Sequence, residues 1–406
     1  MTIGAFTLLR SNRRFRWFWL GCTVSVMGDA FTKVAFTWFV YERTGSPSAV
    51  ALLMVCYMGP LVIGGFGAGW ALDRFERFRV MMADSVARGL VIGLVPLLYL
   101  FGVLEVWHVY AAAAVYGLLM MVALAGAPSL IPALVAQHEL NAANSLETLS
   151  YTIGGIAGPA LAGLLIARIG APLTVLVDVA SYLAFAVVLS RLRSDGAARQ
   201  PSAAVASSGY GATFRILAGT PVLLSTTLMF CVFNLGEGAM NVWLPVLSGT
   251  VLMGGPGLYG LLLGILALGE TVGALYAGSR TGGRLGLGIC VAQLLSGLAV
   301  LVIVLTPSLP AAAIGLFLLG AFSAPMTVWA QTLRMQILPP ELHGRAFALL
   351  RLMMQAGNPL GAALSGALFP VLGLLGLIAA SAAVMGLPGA IGLGVRGLRQ
   401  AAARTL

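Results

Sequence analysis

Apolar runs of about twenty or more residues succeed one another along most of the chain, and the breaks between them are short and rich in arginine. Such runs admit few folds. About twenty residues of α-helix cross the hydrocarbon layer, and a helix satisfies its own backbone N–H and C=O groups there. A membrane β-barrel would show short strands of alternating polarity instead. Soluble domains carry about 25% charged residues, whereas 9% of these 406 residues are charged and 59% are hydrophobic. The sequence therefore predicts an all-α membrane protein without a sizeable soluble domain. Candidate spans fall at 17–40, 47–72, 81–103, 107–131, 145–167, 171–191, 221–247, 256–279, 285–305, 310–332, 345–369 and 372–394, about twelve in all.

The net charge of +10 suggests nucleic acid less than orientation. With the N-terminus inside, the arginines around 10–16, 74–79, 191–215, 280–284, 334–345 and 396–404 share the inner side. The outer loops then keep Arg43 and Arg168. That asymmetry is the one that positive-inside orientation produces. The basic stretch from Arg10 to Arg16 precedes an apolar run too long for a signal peptide, so the run reads as the first span. Cys22, Cys56, Cys231 and Cys290 form no C-x-x-C pair, and His108, His138 and His343 do not cluster. Neither a disulfide framework nor a metal site is expected, and no cofactor.

Residues 194–214 form the one long polar stretch and read as a flexible cytoplasmic linker. It separates residues 1–193 from 215–406. The two halves echo each other: Gly28-Asp29 in the first span recurs as Gly236-Glu237, and Gly158-Pro159 as Asn358-Pro359. Glu139-Leu140 likewise recurs as Glu341-Leu342. A parallel repeat of this kind is a mark of secondary transporters.

Gly69-Trp70-Ala71-Leu72-Asp73-Arg74-Phe75-Glu76-Arg77-Phe78-Arg79 is similar to the Gly-x-x-x-Asp-Arg-x-Gly-Arg-Arg/Lys signature of the major facilitator superfamily. Glu76 stands in place of the glycine, and Phe78 interrupts the basic run. The resemblance covers essentially the whole chain. It implies twelve transmembrane helices in two pseudo-symmetric six-helix bundles that rock about a site near the bilayer midplane. It also implies that the loop after the second span, with Gly69, Asp73, Arg74 and Arg77, acts as a conformational gate. Asp73 would sit against the start of the eleventh helix near Leu342–Arg345, where a carboxylate is favourable. Gly154-Gly155-Ile156-Ala157-Gly158-Pro159-Ala160-Leu161-Ala162-Gly163 resembles the Gly-x-x-x-Gly-Pro-x-x-Gly-Gly stretch of exporters in the superfamily, with Ala162 replacing a glycine. Gly154 and Gly158 would give a small face for a neighbouring helix, and Pro159 would permit a kink. Thr44-Gly45-Ser46-Pro47 and Ala83-Asp84 with Arg88 add a likeness to the branch that contains macrolide and enterobactin-type siderophore exporters. The resemblance implies a bacterial inner membrane, both termini cytoplasmic, and a monomer.

Charges inside spans are costly, about 2.5–3.5 kcal/mol each at a helix centre, and are functional candidates by default. Asp29 and Lys33 are spaced i,i+4 with the acid first, so they can pair on one helix face; the pair serves either packing or proton and substrate binding. Glu237 has Asn241 at i+4 and no local cation, which favours it as the proton carrier. Asp84 and Arg88 form a second i,i+4 pair, read as structural. Glu270 and Asp178 read as isolated acids, able to relay protons or to satisfy a neighbouring helix. Arg351 needs an anion or carbonyls nearby and suits an anionic substrate. Trp38, Tyr151, Phe233, Met240, Trp243, Met353 and Met354 could line an adaptable pocket or simply pack.

The expected function is proton-coupled export of a small amphipathic molecule, drug-like or a siderophore, through the lipid bilayer by alternating access. The alternative is a nutrient or metabolite symporter or uniporter of the same fold. An intramembrane enzyme is disfavoured: the chain has no His-Glu-x-x-His and no Gly-x-Ser-x-Gly. It also has no Gly-x-x-x-x-Gly-Lys-Ser/Thr loop for ATP.

Overall fold

The computed structural model describes residues 5–194, 219–279, 284–337, 350 and 352–401. Among the described residues the regular structure is helical and no strand occurs. In chain order the α-helices are α1 (Ala5–Ser11), α2 (Arg13–Thr44), α3 (Pro47–Arg74), α4 (Arg77–Leu100), α5 (Val106–Leu134), α6 (Leu140–Ile169), α7 (Ala171–Thr174), α8 (Leu176–Ser194), α9 (Pro221–Val246), α10 (Gly255–Ser279), α11 (Leu285–Leu305), α12 (Leu309–Ile337), α13 (Gly357–Gly394) and α14 (Arg396–Arg399). Among the described residues, ten helical stretches are long and apolar enough to cross a membrane. Helix α2 is 32 residues long, but Asp29 and Lys33 dilute its apolar character, and it falls outside that set.

Local chemistry sets the boundaries. Asn12 caps α2 by accepting from the Phe15 N–H at 2.9 Å, and its own amide donates to the Leu134 carbonyl at 2.8 Å. Gly45 ends α2 in the left-handed region (φ 58°), with its N–H on the Tyr41 carbonyl. Pro47 then opens α3, where a missing N–H is harmless. The sequence expects a break between 369 and 372. The helix path breaks at Gly373, whose φ of 63° follows Pro370 at an interval of three residues.

The chain forms two compact units. The first comprises Met1–Gly45, Cys56–Val205 and Gly255–Gly264; the second comprises Ser46–Val55, Ala206–Gly254 and Ile265–Leu406. In the first unit, α2 packs on α6 and α8, and α4 packs on α5 and α8. Phe15, Phe18, Phe78, Met81, Leu130 and Phe185 fill its arginine-rich end. The expected small face is used: a Cβ on Gly158 would lie 2.6 Å from that of Ala30, so glycine lets α2 and α6 meet closely. In the second unit, α9 packs on α13, and α11 on α12 and α13. There a Cβ on Gly238 would run into the Asn358 carbonyl. The pairs α2–α6 and α9–α13 thus both approach through glycine.

Candidate proton and substrate site

Helix α2 turns Asp29 toward α4, α5 and α8, so the acid marked by the sequence does sit inside a bundle. Its Oδ1 accepts from the Tyr116 hydroxyl at 2.8 Å and from the Tyr182 hydroxyl. The Arg88 guanidinium lies 3.7 Å from the same oxygen. Arg88 is 1% exposed. Its Nε and Nη2 both donate to Asp84 Oδ2, and its Nη1 donates to the Tyr182 hydroxyl at 2.7 Å. The guanidinium carbon also stands 4.4 Å from the Tyr182 ring centre. One buried cation is therefore shared by two carboxylates and held by aromatic hydroxyls. Such burial is tolerable because the charges are paired and hydrogen-bonded. The Asp29 side chain keeps 23% exposure, whereas Asp84 keeps 2%.

Asp178 enters from α8 beside this network. Thr32 donates to its Oδ2, and Ser181 donates to its Oδ1 at 3.0 Å. Gly28 makes this possible, since a Cβ there would collide with the Asp178 carboxylate and the Ser181 hydroxyl. The Gly28-Asp29 dipeptide thus does two things: the glycine admits one acid and the next residue presents another.

The second unit has different chemistry. Glu237 on α9 is half-buried, and its Oε2 accepts from Asn358 Nδ2 of α13 at 3.2 Å. Asn241 donates to the Glu237 backbone carbonyl at 3.1 Å. Asn358 Oδ1 is buried and has no partner among the described residues. Nearby, Gln293 donates to the Met229 carbonyl, and Trp243 donates to Ser381 at 3.2 Å. Trp243 is fully buried, so it belongs to the packing and not to a pocket wall. Phe233 and Met240 are buried as well.

Several expectations change. Asp29 has partners on α4, α5 and α8, across the bundle, beyond the same-helix spacing to Lys33, which is half-buried one turn on. Asp178 is not isolated, because Thr32 and Ser181 hold it. Asp84 and Arg88 pair as spaced, within a larger network than the spacing implied. Glu270 is exposed on α10. The signature read as a loop is helical as far as Arg74, since α3 continues through Gly69. Chain reversal occurs at Phe75 and Glu76, and Glu76 binds Arg79 and Arg193, each at 2.9 Å. Arg77 donates to the Ser129 carbonyl at 3.0 Å. Pro159 lies within α6, beside Gly154 and Gly158. The Asp73 side chain, Arg351 and the Leu342–Arg345 stretch lie outside the described residues. Sequence reasoning missed Tyr116, Tyr182, Thr32 and Ser181. A buried tyrosine or threonine in lipid needs a partner, and that need was their signal. Among the described residues no group of His, Cys, Asp and Glu could hold a metal ion, and the four cysteines are free.

A profile of the family described as transmembrane secretion effector matches residues 3–404. The chain belongs to that family, within the major facilitator superfamily. It is 28% identical to the multidrug efflux pump Tap of Mycolicibacterium fortuitum over 364 residues, covering 86% of this chain and 87% of Tap. It is also 28% identical to the enterobactin exporter EntS of Salmonella choleraesuis, covering 89% of this chain and 87% of that one. Its fold is similar to a bacterial homologue of the iron transporter ferroportin, at TM-score 0.73 and 17% identity, covering 94% and 98% of the two chains. A bacterial homologue of the lysosomal transporter Spinster is similar at TM-score 0.72 and 14% identity, covering 95% and 96%. The secretion-effector chain is accordingly a multi-pass membrane transporter and not an enzyme.

Proposed function

We propose that this transporter exports a small amphipathic molecule, drug-like or a siderophore, in exchange for protons. The observation that carries the reading is Asp29: a carboxylate inside an apolar bundle, tied by two tyrosines and a shared arginine, yet still partly exposed. Glu237 is its counterpart in the second unit, held by a neutral amide. Among the described residues no cation pairs with Glu237, and a buried acid held only by a neutral group is the more sensitive to a change in its surroundings. Glu237 is therefore the coupling acid, and Asp29 with Arg88 sets the charge preference of the first unit. The chain crosses a bacterial inner membrane twelve times as a monomer, with both termini cytoplasmic and residues 194–214 linking two six-helix halves. Alternating exposure of the acids to the two faces performs transport, and Asp73 with Gly69, Arg74 and Arg77 gates the inner side. Names of relatives at 28% identity support export of a drug or a chelator.

The test uses purified protein in vesicles, with ethidium as probe and an imposed pH gradient. Wild type moves the dye with the gradient. Glu237→Gln remains folded and loses gradient-driven movement. Unchanged proton coupling in that variant removes Glu237 from the mechanism.

A further inference from the structure

Asp84 is not used by the reading above, and its surroundings are unusual for a structural anchor. A cavity of about 640 Å³ opens at the arginine-rich end of the first unit, walled by α3, α4 and α5. Exposed Arg74 and Arg79 stand at its mouth, and Ala83, Asp84, Ala87 and Leu119 line it further in. The Asp84 side chain is 2% exposed. Arg88 occupies its Oδ2, while its Oδ1 is buried and has no partner among the described residues. A purely structural carboxylate would be expected to satisfy both oxygens. Here the spare oxygen is unpartnered among the described residues and covered by packing, on a residue that lines the cavity. The space is ample for water, at about 30 Å³ per molecule.

We propose that Asp84 is the acid through which the first unit exchanges protons with water at its arginine-rich end. The cavity is the route, and Arg88 is the group that carries the change to Asp29. The step balances simply. When the packing over Oδ1 parts, a hydronium ion from the cavity gives it a proton, an O–H bond forms, and water leaves. The neutral acid no longer demands the two N–H groups of Arg88 that now point at Oδ2. The guanidinium then belongs to Asp29, already 3.7 Å away, and to Tyr182. Loss of the proton reverses the sequence. The charged and titratable groups around Asp84 are Arg79 and Arg88 on its own helix and Glu76 just before it. Across from it stand Arg74 of α3, Asp29 of α2, Tyr116 of α5 and Tyr182 of α8. Asp84 acts through Arg88 and is a positioning residue, not a ligand of the transported molecule. The inference rests on the proton-coupled reading above.

Two measurements separate its failure from failure of that reading. The first needs no transport: infrared difference spectra of the purified protein between two pH values. A protonated-carboxyl band, shifted in heavy water, is expected in wild type and is expected to vanish in Asp84→Asn. The second is ethidium movement in vesicles. Ala87→Phe fills the cavity and leaves the carboxylate in place. Gradient-driven movement is expected to fall about tenfold, below the ~10²–10⁴-fold of a lost proton-transfer group because some water still passes. Dye exchange without a gradient should stay at the wild-type rate. Asp84→Glu should restore the infrared band and the pH dependence. If Asp84→Asn fails to fold, Ala87→Phe alone decides. An unchanged band in Asp84→Asn, or equal loss of driven movement and exchange in Ala87→Phe, overturns the inference. A wild type that shows the band but ignores the gradient overturns proton coupling.

Discussion

Arg88→Met tests whether the charged cluster of the first unit is held by electrostatic pairing or by shape. Methionine preserves much of the apolar stem and removes the cation. Two N–H bonds to Asp84 and one to Tyr182 disappear with it. Asp84, 4% exposed, would be left as a buried carboxylate without a counter-charge. Breaking one side of a buried pair costs about 3–5 kcal/mol, or roughly two to three and a half orders of magnitude in the folding equilibrium at 1.4 kcal/mol per decade. The cost should come mainly from the stranded acid and not from lost packing. The double variant Arg88→Met with Asp84→Leu removes the stranded charge as well. It should recover about half of the loss or more, since apolar replacement of a whole buried pair is often neutral. The assay is unfolding in mixed micelles, titrated with sodium dodecyl sulfate and followed by tryptophan fluorescence, with all members of the double-mutant cycle. A single variant within about 1 kcal/mol of wild type, or a double variant whose losses simply add, refutes the electrostatic account.

Three further outcomes follow from the same geometry. Gly28→Ala places a methyl group against Asp178 and Ser181 and should cost about 1–3 kcal/mol by overpacking, read as a lower melting temperature in detergent; an unchanged melting temperature would mean that α8 yields freely. Tyr182→Phe removes the hydroxyl that links Arg88 to Asp29 and should cost about 1.5–3 kcal/mol. Tyr57→Phe loses a 3.6 Å contact with the Met120 sulfur and a hydroxyl interaction with Tyr116, neither partner charged, and should cost less than about 1 kcal/mol, so equal effects in the two tyrosine variants would contradict the ranking. Glu76→Ala breaks pairs in which Arg79 is 62% and Arg193 35% exposed; a loss within about 1 kcal/mol is expected, and a larger one would show the pair to be shielded from solvent.

The fold was legible because lipid leaves so little choice. Long apolar runs had to be helices, and Gly45-Ser46-Pro47 and Pro370 to Gly373 had to interrupt them. The site was half legible. Asp29, Asp84 and Arg88 stood out as charges in apolar surroundings, and i,i+4 spacing paired the last two correctly. The same rule pairs Asp29 with Lys33 and, seeing only one helix, leaves out the partners across the bundle. Tyr116 and Tyr182, which also bind Asp29, are 87 and 153 residues away in sequence. No local periodicity carries that information. Asp178 was misread as isolated for the same reason, its support being Thr32 on a different helix. The resemblance placed the signature around Asp73 in the loop after the second span, yet α3 runs as far as Arg74, two residues past the expected end of that span at 72.

The repeat also explains why the two units differ where they matter. The α2–α6 and α9–α13 pairs both approach through glycine, on α6 at Gly158 in the first unit and on α9 at Gly238 in the second. That packing does not dictate which polar groups stand nearby. The first unit places an acid against an arginine and tyrosines, a strongly paired arrangement in which moving a proton must also move a cation. The second unit places an acid against an amide, which donates to Glu237 without a charge of its own. A proton added to Glu237 therefore changes the charge of its surroundings by a full unit, whereas one added beside Arg88 redistributes an existing pair. On the proposed reading the two units therefore do unequal work: Glu237 changes charge beside a neutral amide, whereas an acid beside Arg88 changes charge only by redistributing an existing pair.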